Sequence, residues 1–148
     1  MALEAAAGLF ADRPATVACY WEPFANQPAK RFAVDIRELV QNADEINDRE
    51  EQLAVTIAEE GAALARAAGL EAIARAVKID VPIEEAILAH ADELDAGAIV
   101  LGARSRSNLR SILIGNVATE VVQRSVRPVF LVPSPELADR RRSDRRTP

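Results

Sequence analysis

The sequence predicts an α/β fold: an open, mostly parallel sheet with helices on both faces. Three observations carry that expectation. Short apolar runs alternate with longer amphipathic stretches along the chain, the pattern of strands joined by helical crossovers. Hydrophobic residues make up 49% of the 148 residues but aromatics only 4%, so the core is built from Ala, Val, Ile and Leu. The run Ala98–Leu101 stops at Gly102, and a basic, serine-rich loop leads from there to a second glycine, Gly115. Crossovers between parallel strands are right-handed, and ligands of such sheets bind beyond the carboxyl ends of the strands.

Each element can be justified in order. Ala2–Phe10 reads as a helix, with Leu3, Ala6, Ala7 and Phe10 at helical spacing, and Asp12-Arg13-Pro14 ends it. Residues 15–21 form a nearly continuous apolar run rich in β-formers, expected as a strand buried on both faces. Residues 22–43, punctuated by Pro23 and Pro28, read as a surface arm, with a helical turn or two near Asp35–Val40. A lid over the site and an arm on a partner subunit are the alternatives for that segment. Residues 44–68 give a strong helix whose apolar stripe is Leu53, Ile57, Leu64 and Ala68, with Gly69 as its cap.

Residues 71–78 follow as a strand, with Ile73 and Val77 among alanines and enough charge for a sheet edge. Pro82 opens a helix with Glu84 and Glu85 near its positive end and Ile83, Ile87 and Leu94 on its buried face. Residues 98–101 are a short buried strand. Residues 116–125 are helical with Val117, Val121 and Val122 inward, Arg127-Pro128 ends that helix, and residues 129–132 are the last strand. This organisation gives one domain over residues 1–135 and a disordered basic tail over 136–148.

Charge and composition exclude several functions. The net charge is −5; residues 136–148 hold five arginines and three acids, which leaves the body at −7. An acidic body argues against nucleic acid as the main partner. No apolar run is long enough to span a bilayer, and a cytoplasmic location is the expectation. Cys19 is the only cysteine, so neither an intrachain disulfide nor a cysteine metal cluster can form, and its apolar surroundings suggest a small buried hydrophobe. His90, the only histidine, has no partner constellation that would make it catalytic.

The segment 102–117 carries the chemistry. A helix starting after Gly115 presents unpaired amides to an anion. Arg104, Arg106 and Arg110 add charge, and Ser105, Ser107 and Ser111 add hydroxyl donors. Gly102 offers a turn without a Cβ penalty. No Gly-Lys-Ser/Thr follows the glycines, so this is not a Walker loop and rapid phosphoryl transfer has little support. On spacing alone, two glycines serving only a turn and a helix start explain the pattern equally well.

Leu101-Gly102-Ala103-Arg104-Ser105, nine residues, then Gly115-Asn116-Val117-Ala118 resembles the nucleotide loop of the universal stress protein family. The family pattern is Gly, two residues, Gly, nine residues, Gly, then Ser or Thr. The resemblance extends through residues 120–125 and 127–132, is strongest from Ile83 to Pro133, and includes Leu3–Phe10 and Tyr20–Pro23. It implies a Rossmann-like fold of the adenine nucleotide alpha hydrolase type, with strand order 3-2-1-4-5, and a cytoplasmic homodimer paired through Val129–Val132. It also implies binding of ATP or AMP, with or without magnesium, and no fast chemical step. It places backbone contacts to the base on Tyr20 and Leu101, and phosphate and ribose contacts on Gly102, Ser105, Gly115, Asn116 and Val117; Arg104 joins these candidates on its charge alone.

Three departures from the pattern bear on the ligand. Ser105 stands where the second glycine belongs, and Asn116 replaces Ser or Thr at the helix start. The family's first strand, with its adenine-side aspartate, has no counterpart, so the four strands should fall into two pairs. The inner strands could close up, a strand could come from elsewhere, or the true start could lie upstream; the last is the expectation. Two other functions remain alongside nucleotide binding: a member that no longer binds nucleotide and serves as a dimerisation or interaction module, and a nucleotide-hydrolysing enzyme whose sole candidate base is His90.

Overall fold

The computed structural model describes residues 2–24, 36–103, 116–133 and 142–143. Its elements alternate as the sequence predicts: α1 (Ala2–Phe10), β1 (Pro14–Trp21), α2 (Ile36–Ala67), β2 (Glu71–Lys78), α3 (Ile83–Glu93), β3 (Ile99–Ala103), α4 (Asn116–Arg124) and β4 (Val129–Pro133). Both ladders are parallel. β1 pairs with β2 in the register Val17↔Ala74, and β3 with β4 in the register Leu101↔Leu131. Among the described residues the strands therefore form two two-stranded sheets rather than the single order 3-2-1-4-5. The chain packs as two compact units, residues 10–82 and residues 1–9 with 83–148.

In the first of these, α2 lies along β1 and β2. It begins at Ile36, so the helix absorbs part of the arm expected over 22–43; no proline or glycine stands between Pro28 and Gly61 to stop it earlier. The face it buries differs from the one expected. Ala54, Ala58, Ala62 and Ala65 are at most 3% exposed, whereas Leu53, Ile57 and Leu64 are 55, 49 and 65% exposed and Ala68 is exposed as well. The two stripes share one helical period and differ by roughly 100° around the axis. Closeness selects between them: a Cβ on Gly61 would lie 2.9 Å from Val17 Cγ1, so α2 sits too near β1 for branched side chains on the contact line.

The ends of this unit are tied down locally. Gly69, at φ 98°, terminates α2: its N–H donates to the Arg66 carbonyl, and the Leu70 N–H donates to the Ala65 carbonyl. That is a Schellman closure, which satisfies carbonyls the helix leaves unpaired. Arg66 Nη1 reaches the Ala72 carbonyl on β2 at 2.8 Å. At the carboxyl ends of the strands, the Ile79 N–H donates to the Trp21 carbonyl, Lys78 lies over the Trp21 ring, and the Phe24 N–H donates to Asn47 Oδ1 on α2. Trp21, Phe24 and Ile79 are buried there, but the rest of β1 is not buried on both faces as expected: Ala15–Tyr20 are all half-buried, Cys19 among them. Ile73, on the β2 face opposite α2, is 51% exposed.

In the other unit, α3 and α4 pack together and α4 meets β4. Alanines are again buried, here together with Ile87 and Val121 on the faces the sequence predicts. Ala86, Ile87 and Ala91 are buried on α3, while Leu94 is exposed; Ala118 and Val121 are buried on α4, while Val122 is exposed. Asp95, at φ 46°, ends α3 much as Gly69 ends α2, with the Ala96 N–H donating to the Ala91 carbonyl. Arg127 pairs with Asp92 and Asp95, and Arg124 with Glu85 at 3.3 Å, joining α3 to α4 and to the segment that follows it.

The alanine seam makes a prediction with two arms. Ala62→Leu inserts volume into a filled contact and should destabilise by about 1–3 kcal/mol in chemical denaturation. Leu64→Ala, on the exposed flank, should stay within about 0.5 kcal/mol of the parent.

Candidate functional site

The residues singled out for ligand contact fall into three sets. Leu101 and Gly102 lie on β3, half-buried and exposed respectively, opposite Leu131 and Val132 of β4. Asn116 and Val117 are the first two residues of α4; Asn116 is exposed and Val117 half-buried. Both sets belong to the unit formed by residues 1–9 and 83–148. Tyr20 is half-buried on β1, in the other unit. Arg104, Ser105 and Gly115 lie outside the described residues, as do Arg106, Ser107, Arg110 and Ser111.

Gly102 does not do what its position in the sequence suggests. It is part of β3, paired with Val132, and among the described glycines only Gly69 has a positive φ. An added Cβ would meet only the Ala2 Cβ, at 3.8 Å, an ordinary contact. The strand runs through the glycine to Ala103, so Gly102 is not required for a turn. What it leaves is an exposed stretch of backbone near the carboxyl end of β3, with the first residue of α1 beside it.

Electrostatics single out α4. The first turns of α1 and α3 carry acids, Glu4 in one and Glu84 and Glu85 in the other, which offset the positive end of each helix. The first turn of α4 carries none. Its amino end therefore keeps its partial positive charge for a group from outside the helix. The burial of Ala118 and Val121 and the Arg124–Glu85 pair hold the helix in place. Charge composition of first turns is visible in a sequence once the helix starts are known, and it was the missing signal here.

Other chemistry is less well served. Among the described residues no three His, Cys, Asp or Glu side chains gather as a metal site. His90 is half-buried on α3. No described helix is long and apolar enough to cross a membrane.

Parallel strands joined by helices, with a glycine near the end of β3 and no acid in the first turn of α4, define an α/β protein of the doubly wound kind. The chain belongs to the universal stress protein family, whose model it matches over residues 1–133. Solved structures agree on the fold. Hypothetical protein MJ0577 is 18% identical, with a TM-score of 0.65, covering 90% of this chain and 85% of that one. A universal stress protein from Archaeoglobus fulgidus is 22% identical, with a TM-score of 0.55 over 80% of this chain and 74% of that one. UspA from Lactobacillus plantarum is 17% identical, with a TM-score of 0.58 over 80% and 77%. No curated protein matches the chain.

Because Gly102 is extended and unhindered, Gly102→Ala should keep the parent's circular dichroism and lie within about 0.5 kcal/mol of its stability. A loss of several kcal/mol would show that the glycine is conformationally required after all.

Proposed function

We propose that this universal stress protein binds ATP or AMP weakly, in the cytoplasm, and acts in the stress response as a homodimer rather than as a fast enzyme. The observation that carries the reading is the start of α4, whose first turn has no acid, within a loop that resembles the family's nucleotide loop. Phosphate oxygens would meet the amides at the start of α4, with Asn116 as a polar neighbour. Arg104, Ser105 and Gly115 would contribute phosphate contacts, and Gly102 exposed backbone. The base would lie against Leu101. Without a Walker lysine, hydrolysis would be slow at most.

The homodimer would pair β4 with its copy through Val129–Val132. These residues are only half-buried, and β3 is the sole partner of β4 among the described residues. Val122 and Val126, the latter 91% exposed, add apolar surface just before the strand. The same valines favour the second reading, an interaction module that has lost its ligand.

A thermal shift with ATP and magnesium separates the two. Binding should raise the melting temperature with ligand excess, by about 2.7 kcal/mol of added stability at a hundredfold excess over Kd. Asn116→Asp should act in opposite directions. It should stabilise the free protein by about 0.3–1 kcal/mol through the helix dipole and shrink the shift given by ATP. No shift at millimolar ATP, in a protein that still dimerises, would leave the interaction module as the function.

A further inference from the structure

We propose that the arginine run of residues 140–146 supplies countercharge to phosphates at the carboxyl edge of β3 and β4, so that the site favours a nucleoside triphosphate over a monophosphate. The inference rests on the nucleotide reading above and adds the class of nucleotide to it. β3 and β4 are parallel, with Ala103 opposite Pro133, so both strands end at one edge. Gly102 and Ala103 stand at that edge, and the chain that carries the arginines leaves the sheet there too, after Pro133. These residues belong to one compact unit.

Chain length permits the approach. Arg140 follows Pro133 by seven positions. A stretch of that length spans at most about 25 Å, several times the spacing of about 4.8 Å between neighbouring strands.

Charge decides what the run meets. Residues 1–135, at −7, repel a polyphosphate as a whole. Arg124 and Arg127 do little to offset this, because Arg124 pairs with Glu85 and Arg127 with Asp92 and Asp95. Residues 140–146 instead hold five arginines and one acid, Asp144, a local charge of +4. Arg142, in the middle of the run, is exposed. Guanidinium groups stay charged and bind phosphate oxygens in pairs. The positive end of α4 acts only over its first turn, which suits the phosphate nearest the helix. Phosphates further along the chain of a triphosphate need another source of positive charge, and a monophosphate has none of them. The arginine run therefore acts on the nucleotides that extend beyond the helix start.

The test is calorimetric titration of the full chain with ATP and with AMP, without magnesium, so that the phosphates keep their full charge. The parent is compared with a variant carrying Arg140→Gln, Arg141→Gln, Arg142→Gln, Arg145→Gln and Arg146→Gln together. At low salt the variant should bind ATP about tenfold more weakly than the parent and AMP less than about twofold more weakly. High salt should narrow the parent's preference for ATP, since exposed charges are screened over about 10 Å at 0.1 M. Without ligand, the variant should melt with the parent. Unchanged ATP affinity in the variant, with a parent that binds, overturns this inference alone. So does an equal loss for ATP and AMP, which would mean that the run acts on the fold rather than on the outer phosphates. A parent that binds neither nucleotide overturns the nucleotide reading itself, and this inference with it.

Discussion

The close approach of α2 to the β1–β2 ribbon is the constraint on which that unit depends. Ala54, Ala58, Ala62 and Ala65 let the helix lie against the strands, and Gly61 lets it touch Val17. Such a contact buries little area per residue, so its contribution comes from continuity along the helix and from dispersion at short range. It also fixes everything around it. The Schellman closure at Gly69 sets where β2 begins, Arg66 holds the helix end to that strand, and Asn47 catches the chain leaving β1. Because the seam is made of small residues, the larger apolar residues of α2, Leu53, Ile57 and Leu64, remain outside it.

This explains which parts of the fold were legible in the sequence. Element order was, because strand and helix periods differ and Pro14, Gly69, Pro82 and Pro128 punctuate their boundaries. Most strand and helix ends fall within two residues of expectation. The buried faces were legible only in part. Ile87 on α3 and Val121 on α4 are buried as expected, but Leu94 and Val122 are exposed, and on α2 the alanines rather than Leu53, Ile57 and Leu64 make the contact. A stripe of alanine has the same period as a stripe of leucine but a weaker signal, and only the helix–sheet distance decides between them.

Sequence and structure meet only at the borders of the candidate site. On spacing, the glycines and arginines of 102–115 suit an anion or a plain turn and helix start equally, and of that segment only Gly102 and Ala103 lie among the described residues. Gly102 shows the limit: a glycine at the end of an apolar run reads as a turn, yet here the ladder carries the strand through it to Ala103. The first turn of α4 shows the opposite case. Its lack of acids was in the sequence throughout, and it gained meaning only beside the acidic first turns of α1 and α3.

The orientation of α2 is the central physical claim, and thiol accessibility measures it directly. With Cys19 replaced by serine, single cysteines placed in turn at positions 53 to 65 should react at rates that follow the helix. Positions 54, 58, 62 and 65 should be protected until the protein unfolds, while 53, 57 and 64 should react nearly as fast as a free thiol. Slow labelling at 53, 57 and 64 with fast labelling at the alanine positions would contradict the account, because it would put the leucine flank on the sheet.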